Sequence, residues 1–225
     1  MEFRFFEIYR NVDYINLLIE GTARSALLAA GAGLAGLLFA IALSASRYFR
    51  IPVLAQVSTA YVEFIRNTPL IVQLFFVAFG LPLLLGYKWS FTAHALLALT
   101  INFSAYFAEI LRAGYASVPD GQVEAATALG VRKWLIFRKI VLPQAIGKMY
   151  ASLNSQFIFL FLTTGIISEI GVRDLTYAGL FIDSRTFRSF EVFIVLTVIY
   201  LLTAFAFKAL LGLLYRVFFR WRATA

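Results

Sequence analysis

Cysteine is absent from the 225 residues, histidine occurs once, proline five times, and charged side chains make up only 14%. Without cysteine there is no disulfide scaffold, thiolate zinc site, iron–sulfur cluster or cysteine nucleophile. With so little proline and 24 phenylalanines the chain is neither disordered nor collagen-like. The shortage of charge excludes more. Soluble chains carry about 25% charged and roughly 45–50% apolar residues, whereas this one is 61% hydrophobic with a mean hydropathy of +0.83. Its polar side chains are too few to cover a compact body in water, so the bilayer is the expected solvent. Catalytic signatures are also missing. No Gly-x-x-x-x-Gly-Lys-Ser/Thr loop, His-Glu-x-x-His or Gly-x-Ser-x-Gly occurs, so the chain is expected to be neither an enzyme nor a binder of its own nucleotide.

What is present is a set of long apolar runs. A spanning helix needs about 20 mostly apolar residues, and the stretches 17–46, 53–81, 91–111, 147–170 and 192–215 qualify. The expectation is one transmembrane domain over 1–225, all-α, with about five spans and a loop at 112–146. In the first span Ala29 and Gly33, and Ala32 and Gly36, stand four apart, a spacing that lets helix backbones approach closely in lipid. The fourth contains Ser152, Asn154, Ser155, Gln156, Thr163 and Thr164. Such polarity points it at a bundle interior or a cavity.

Charge supplies an orientation. Lys and Arg of short loops stay on the cytoplasmic side. One face collects Arg47, Arg50, Arg112, Arg132, Lys133, Arg138, Lys139, Lys148, Arg216, Arg220 and Arg222. The other holds Arg4, Arg10, Lys88, Arg173, Arg185 and Arg188 against Glu2, Glu7, Asp13, Glu20, Glu169, Asp174, Asp183 and Glu191. The amino terminus is thus expected outside and the carboxyl terminus in the cytoplasm. The net charge of +8 is then a topology signal at the lipid surface rather than a sign of nucleic-acid binding. The first fourteen residues read as a short amphipathic lead-in and not a cleavable signal.

The loop at 112–146 is too long for a turn and too apolar for a linker. Ser117, Pro119 and Asp120 suit the start of a short helix, and Gly130 suits its end. A second, amphipathic helix is expected from Arg132, carrying Trp134, Leu135, Phe137, Ile140 and Val141, with Pro143 breaking it before the next span. On pattern alone this could equally be a helix pair lying on anionic lipid.

The wording of the loop is more specific. Glu124-Ala125-Ala126, Gly130, Ile140 and Leu142-Pro143 match every fixed position of the EAA-x3-G-x9-I-x-LP signature of the membrane subunits of bacterial ATP-binding cassette importers. The segment from Glu63 to Phe76, through Arg66-Asn67-Thr68-Pro69, is similar to the second span of permeases for polar amino acids, as is the stretch from Ala105 through Glu109 and Arg112 to Gln122. The resemblance implies a type I importer permease fold with a cytoplasmic coupling helix, in the bacterial inner membrane. It implies a dimer of ATPase subunits seated on Glu124, Ala125, Ala126 and Gly130, with Ile140, Leu142 and Pro143 completing the coupling segment. A second permease subunit, identical or homologous, and an amino-acid-binding protein on the outer face complete the assembly. ATP and magnesium would sit on the partner ATPase, with no cofactor and no metal on this chain.

A zwitterion held at mid-membrane needs acceptors for its ammonium and donors for its carboxylate. Asn102 and Tyr106 on the third span and Thr163 and Thr164 on the fourth can supply them, as the resemblance also implies. Where relatives commonly read Lys-Asp-Thr-Ser this chain reads Leu162-Thr163-Thr164-Gly165, leaving Glu169 as the nearest carboxylate. Glu63 with Arg66, and Glu109 with Arg112, stand three apart and are expected to pair within their helices. His94 stands alone, without a second metal ligand near it in sequence. The rival reading is an ion-gradient-driven secondary transporter or channel that uses the basic loop as a lipid anchor.

Overall fold

The computed structural model describes residues 4–218, so Glu2, Arg220 and Arg222 of the charge pattern lie outside the described residues. Every regular element among the described residues is helical. In order these are α1 (Phe6–Tyr9), α2 (Val12–Tyr48), α3 (Leu54–Arg66), α4 (Leu70–Phe75), α5 (Leu81–Leu85), α6 (Phe91–Ala116), α7 (Asp120–Ala128), α8 (Lys133–Ile136), α9 (Leu142–Thr163), α10 (Leu175–Thr186) and α11 (Ser189–Phe218). Among the described residues four helices are long and apolar enough to cross a bilayer: Val12–Tyr48, Phe91–Ala116, Lys133–Ile170 and Ser189–Val217. A fifth span results if Leu54–Arg66 and Leu70–Leu85, broken at Asn67–Pro69, count as one.

Proline does not act as the sequence suggests. Pro143 leaves the helix intact: α8 runs into α9 through a π-helical turn at Phe137–Val141, and the Leu142 N–H reaches back to the Phe137 carbonyl. A wider turn asks no amide of the proline and moves the preceding turn's carbonyls away from its ring. The expected break is therefore corrected to a continuous 38-residue helix from Lys133 to Ile170. The same device recurs before Pro82, where Phe76–Gly80 is π-helical and the Leu81 N–H meets the Phe76 carbonyl. Both Leu-Pro pairs follow a five-residue π turn at once.

The chain divides into two compact units. Of the described residues, one takes in 4–32, 71–98 and 157–218. Its core gathers Ile8, Leu18, Leu175, Ala178, Ile182, Val192, Val195 and Leu196. Gly21 brings α2 against the backbone of Asp174, and the Leu175 N–H donates to Ser25 Oγ at 3.2 Å. Arg188 lies between Glu7 (3.7 Å) and Glu191 (3.9 Å), tying α1 to α11. His94 is buried among the rings of Tyr87, Trp89 and Phe91.

The other unit comprises Gly33–Leu70 and Leu99–Gln156. Gly36 admits the α6 backbone at Thr100 and Ser104. Tyr61 Oη donates to the Ile101 carbonyl at 2.9 Å, and Ser46 and Ser58 share a buried hydrogen bond of 2.7 Å. Phe137 collects the rings of Tyr48 (4.7 Å), Tyr115 (5.1 Å) and Phe49 (5.3 Å). Along α2, Ala29, Ala32, Gly33, Gly36 and Ala40 are buried while Leu27, Leu34 and Leu38 are exposed. The small residues line the protein-facing side, as close helix packing in lipid requires.

Candidate functional site

The loop after α6 is built by local backbone chemistry. Ser117 does not cap α7: its Oγ donates to the Gly114 carbonyl at 2.7 Å and closes α6. The cap position of α7 is Pro119, with extended backbone, and Asp120 sits in the first turn, where its charge suits the positive end of the helix dipole. The carboxyl end of α7 is a Schellman motif. The Gly130 N–H bonds the Thr127 carbonyl at 2.9 Å and the Val131 N–H bonds the Ala126 carbonyl at 3.1 Å. Gly130 has φ +72, a left-handed conformation that glycine adopts without steric cost.

This geometry sorts the signature residues by role. Glu124 and Ala125 are exposed, Ala126 is buried beneath them, and Leu129 stands 82% exposed at the turn. Trp134 and Leu135 are exposed on the following helix. An apolar edge beside a carboxylate on a short rigid helix is a surface suited to a protein partner. Ile140 lies in the π turn, and Leu142 and Pro143 open α9, all half-buried, so they hold the loop rather than present it. Two contacts that sequence spacing does not reveal tie α9 to the loop, and a third lies within the helix itself. Gln144 Nε2 donates to Gln122 Oε1 at 2.6 Å and to the Ile140 carbonyl at 2.9 Å, and Lys148 Nζ donates to the Ser117 carbonyl at 2.6 Å. A pair of glutamines 22 residues apart carries no periodicity that a sequence could betray.

The transport candidates fall into two groups. Asn102 is buried on α6 with Tyr106 one turn further on, and the Arg66 guanidinium lies 5.7 Å from the centre of the Tyr106 ring. That separation is within the range of a cation–π contact. Thr163 and Thr164 belong to the other unit, where their hydroxyls donate to the carbonyls of Phe159 (2.6 Å) and Phe161 (2.7 Å). Glu169 is exposed. On α9 the Asn154 Oδ1 and Gln156 Nε2 are buried without a hydrogen-bond partner among the described residues. In the span containing Lys133–Ile170 only 22% of the most apolar window is buried within the chain, so most of that stretch is left uncovered by the described residues.

Glu109 does pair with Arg112 within α6, through Arg112 Nε at 2.9 Å. It also takes Arg47 Nη1 of α2 at 3.1 Å, a partner the sequence did not indicate. Asn67, rather than Arg66, approaches Glu63, donating to its carbonyl at 2.7 Å and to its Oε2 at 3.3 Å. The expected Glu63–Arg66 pair is replaced by this turn, because the helix ends at Arg66 and frees Arg66 to reach Tyr106.

The helices and the exposed turn of α7 define a multi-helical membrane protein. Residues 18–220 match the family described as the binding-protein-dependent transport system inner membrane component, and the chain belongs to it. It is 35% identical over 171 residues to a probable amino-acid ABC transporter permease protein, PatM, of Vibrio harveyi, covering 73% of this chain and 77% of that one. An L-cystine transport system permease protein, TcyL, of Bacillus subtilis is 34% identical over 179 residues, covering 77% and 75%. A chain of the crystal structure of an amino acid ABC transporter with histidines superposes with a TM-score of 0.85 at 35% identity, covering 96% of this chain and 99% of that one. The chain is thus a multi-pass permease of the inner membrane, a transport subunit that works with ATPase and binding-protein partners. The ion-gradient reading is not favoured.

Proposed function

We propose that this chain forms half of the translocation path of an ATP-driven importer that takes up a polar amino acid from a binding protein on the outer face. The single observation that carries this reading is the α7 turn: a short helix closed by Gly130, presenting Glu124, Ala125 and Leu129, and clamped to α9. The printed names of the relatives, which concern amino acids and cystine, support the substrate class.

ATP and magnesium belong to the partner ATPase dimer, since this sequence contains no phosphate-binding loop of its own. The amino terminus lies outside and the basic loops face the cytoplasm. Closure of the ATPases on ATP displaces α7. Through Gln122–Gln144 and Lys148–Ser117 the displacement passes to the start of α9, whose polar face meets a second permease subunit, identical or homologous. Asn102, Tyr106, Thr163, Thr164 and Glu169 serve the substrate path. With no Lys-Asp pair at 162–163, a net-neutral or weakly charged amino acid is the better match than a strongly cationic one, because a buried unpaired charge is costly.

The test is purification of the tagged chain from its host with identification of everything recovered alongside it. Gly130→Asp forces a side chain into the left-handed region, at about 1 kcal/mol, and adds charge to the docking surface. Loss of the ATPase from that variant, with insertion unchanged, is the expected result. Normal recovery of the ATPase and normal uptake would sink the proposal. Gln144→Ala should keep the ATPase bound while uptake falls, since it cuts the link and not the dock.

A further inference from the structure

A cavity of about 470 Å³ opens where α2 and α6 end and α7 begins, inside the unit comprising Gly33–Leu70 and Leu99–Gln156. Three arginines line it, Arg47, Arg50 and Arg112, with Tyr48, Tyr115 and Thr59. Glu109 binds two of these arginines from behind. Arg50 has no ion-pair partner among the described residues and is exposed. Counting Asp120 at the rim, three guanidiniums against two carboxylates leave one positive charge in surplus. A phosphodiester carries one negative charge, and guanidinium forks match phosphate oxygens in geometry.

The depth of the cavity matters as much as its charge. It lies at the last turns of two spanning helices, and Tyr48 and Tyr115 are among the residues that line it. Aromatic side chains of this kind collect at the headgroup level of a bilayer. The chain entering the cavity is held in an unusual backbone. Arg50 has φ +52, and Val53 has φ 64 and ψ −53, with the Leu54 N–H bonded to the Pro52 carbonyl at 2.7 Å. That is a tight γ-turn with a β-branched residue at its centre, a rare and strained arrangement. Strain of this sort persists where the surroundings over-determine it, and it clusters at ligand sites. Here it lets a short connection bring Arg50 into the lining of the cavity.

We infer that this cavity binds the phosphodiester headgroup of an anionic phospholipid of the cytoplasmic leaflet, next to the coupling helix. The cytoplasmic leaflet is negatively charged, and basic pockets between spanning helices on that side suit acidic headgroups. The inference rests on the orientation proposed above. Of the hydroxyls lining the cavity, that of Thr59 donates to the Ala55 carbonyl at 2.9 Å and that of Tyr115 is hydrogen-bonded to Ser44, which leaves Tyr48 to meet a glycerol or phosphate oxygen. Occupancy would brace α2, α6 and α7 against one another at the point where ATPase movement enters the membrane.

The experiment uses the permease–ATPase complex, delipidated in detergent and returned to phosphatidylcholine bilayers with or without phosphatidylglycerol, with bound lipid counted by native mass spectrometry. Wild type should retain phosphatidylglycerol over phosphatidylcholine, and Arg50→Gln should retain it about fivefold less, the factor expected for one arginine near the surface. Asp120→Asn should shift retention the other way, so that a misfolded variant cannot mimic the pattern. Equal retention by all three proteins would overturn the proposal. Displacement of the lipid by inorganic phosphate, with no preference between the two lipids, would assign the cavity to free phosphate instead. ATPase lost from Arg50→Gln in pure phosphatidylcholine would make the arginine a protein contact and overturn it as well. Absence of the ATPase from wild type would be a failure of the importer reading, and the lipid counts would still decide the cavity.

Discussion

Glu109 Oε2 receives Arg47 Nη1 from α2 at 3.1 Å while its other oxygen is held by Arg112 one turn further along α6. One carboxylate thereby serves two cations, and both Glu109 and Arg47 are largely shielded from solvent. Glu109→Gln leaves two neighbouring guanidiniums without a counter-charge. The expected loss is about 1–3 kcal/mol, below the cost of a fully buried pair because Arg112 is partly exposed. Arg112→Gln preserves the inter-helix pair and should cost less than about 1 kcal/mol. Apparent melting temperatures of the purified complex in detergent rank the two variants. Equal losses would show that Arg47 contributes nothing.

Gly21 is required by contact and not by conformation. A Cβ there would lie 2.7 Å from the Asp174 carbonyl oxygen and 3.0 Å from Leu175 Cα, both backbone atoms. Gly21→Ala must therefore push the segment before α10 away from α2. Overpacking of this kind costs about 1–3 kcal/mol. Thermal unfolding of the variant measures it, with Gly121→Ala, where the added carbon meets open space, as the neutral comparison.

Asp174 caps α10, its Oδ1 accepting from the Tyr177 N–H at 2.8 Å, while Oδ2 is buried without a partner among the described residues. Burial pushes the carboxyl up to about 6, with the Tyr177 hydrogen bond opposing only in part. A raised carboxyl means that the folded state holds its proton more tightly than the unfolded chain. The contribution is therefore fully favourable below about pH 4 and is lost as pH rises through about 6. Asp174→Asn keeps a capping oxygen and removes the charge. It should be more stable than wild type at neutral pH by about 2–3 kcal/mol and indistinguishable near pH 4. A stability difference that does not change with pH would refute the assignment.

Phe137 joins the rings of Tyr48, Tyr115 and Phe49 near the loop that carries α7. Phe137→Ala opens a cavity at the centre of that cluster and should cost about 3–4 kcal/mol. The loosening should show first in the loop. Limited proteolysis near Leu129 and Gly130, both exposed, should accelerate before global unfolding does. Unchanged cleavage there would mean that the cluster does not support α7.

Much of the architecture was legible in the chain. Apolar run length set the number of spans, because every backbone amide in lipid must find its partner within the helix. The four-residue spacing of Ala29, Gly33, Ala32 and Gly36 identified the packed side of α2, since only small side chains let helices touch. Gly130 ended α7 as expected, its left-handed turn being a local property of a residue without a Cβ. Local rules failed where a distant or compensating group intervened. Pro143 does not break its helix because a π turn relieves it, and Ser117 gives its hydroxyl to Gly114 rather than to the next helix.

The sequence by itself determined the solvent, the helical class and the position of the α7 loop, because hydropathy, helix period and turn chemistry act within a few residues of one another. Only the tertiary structure decided that Arg47 shares Glu109 with Arg112, that Gln122 meets Gln144, and that Arg47, Arg50 and Arg112 enclose one cavity. The Gln122–Gln144 and Arg47–Glu109 contacts join residues 22 and 62 positions apart. No local period encodes them, and only the packing of whole helices brings the side chains within reach.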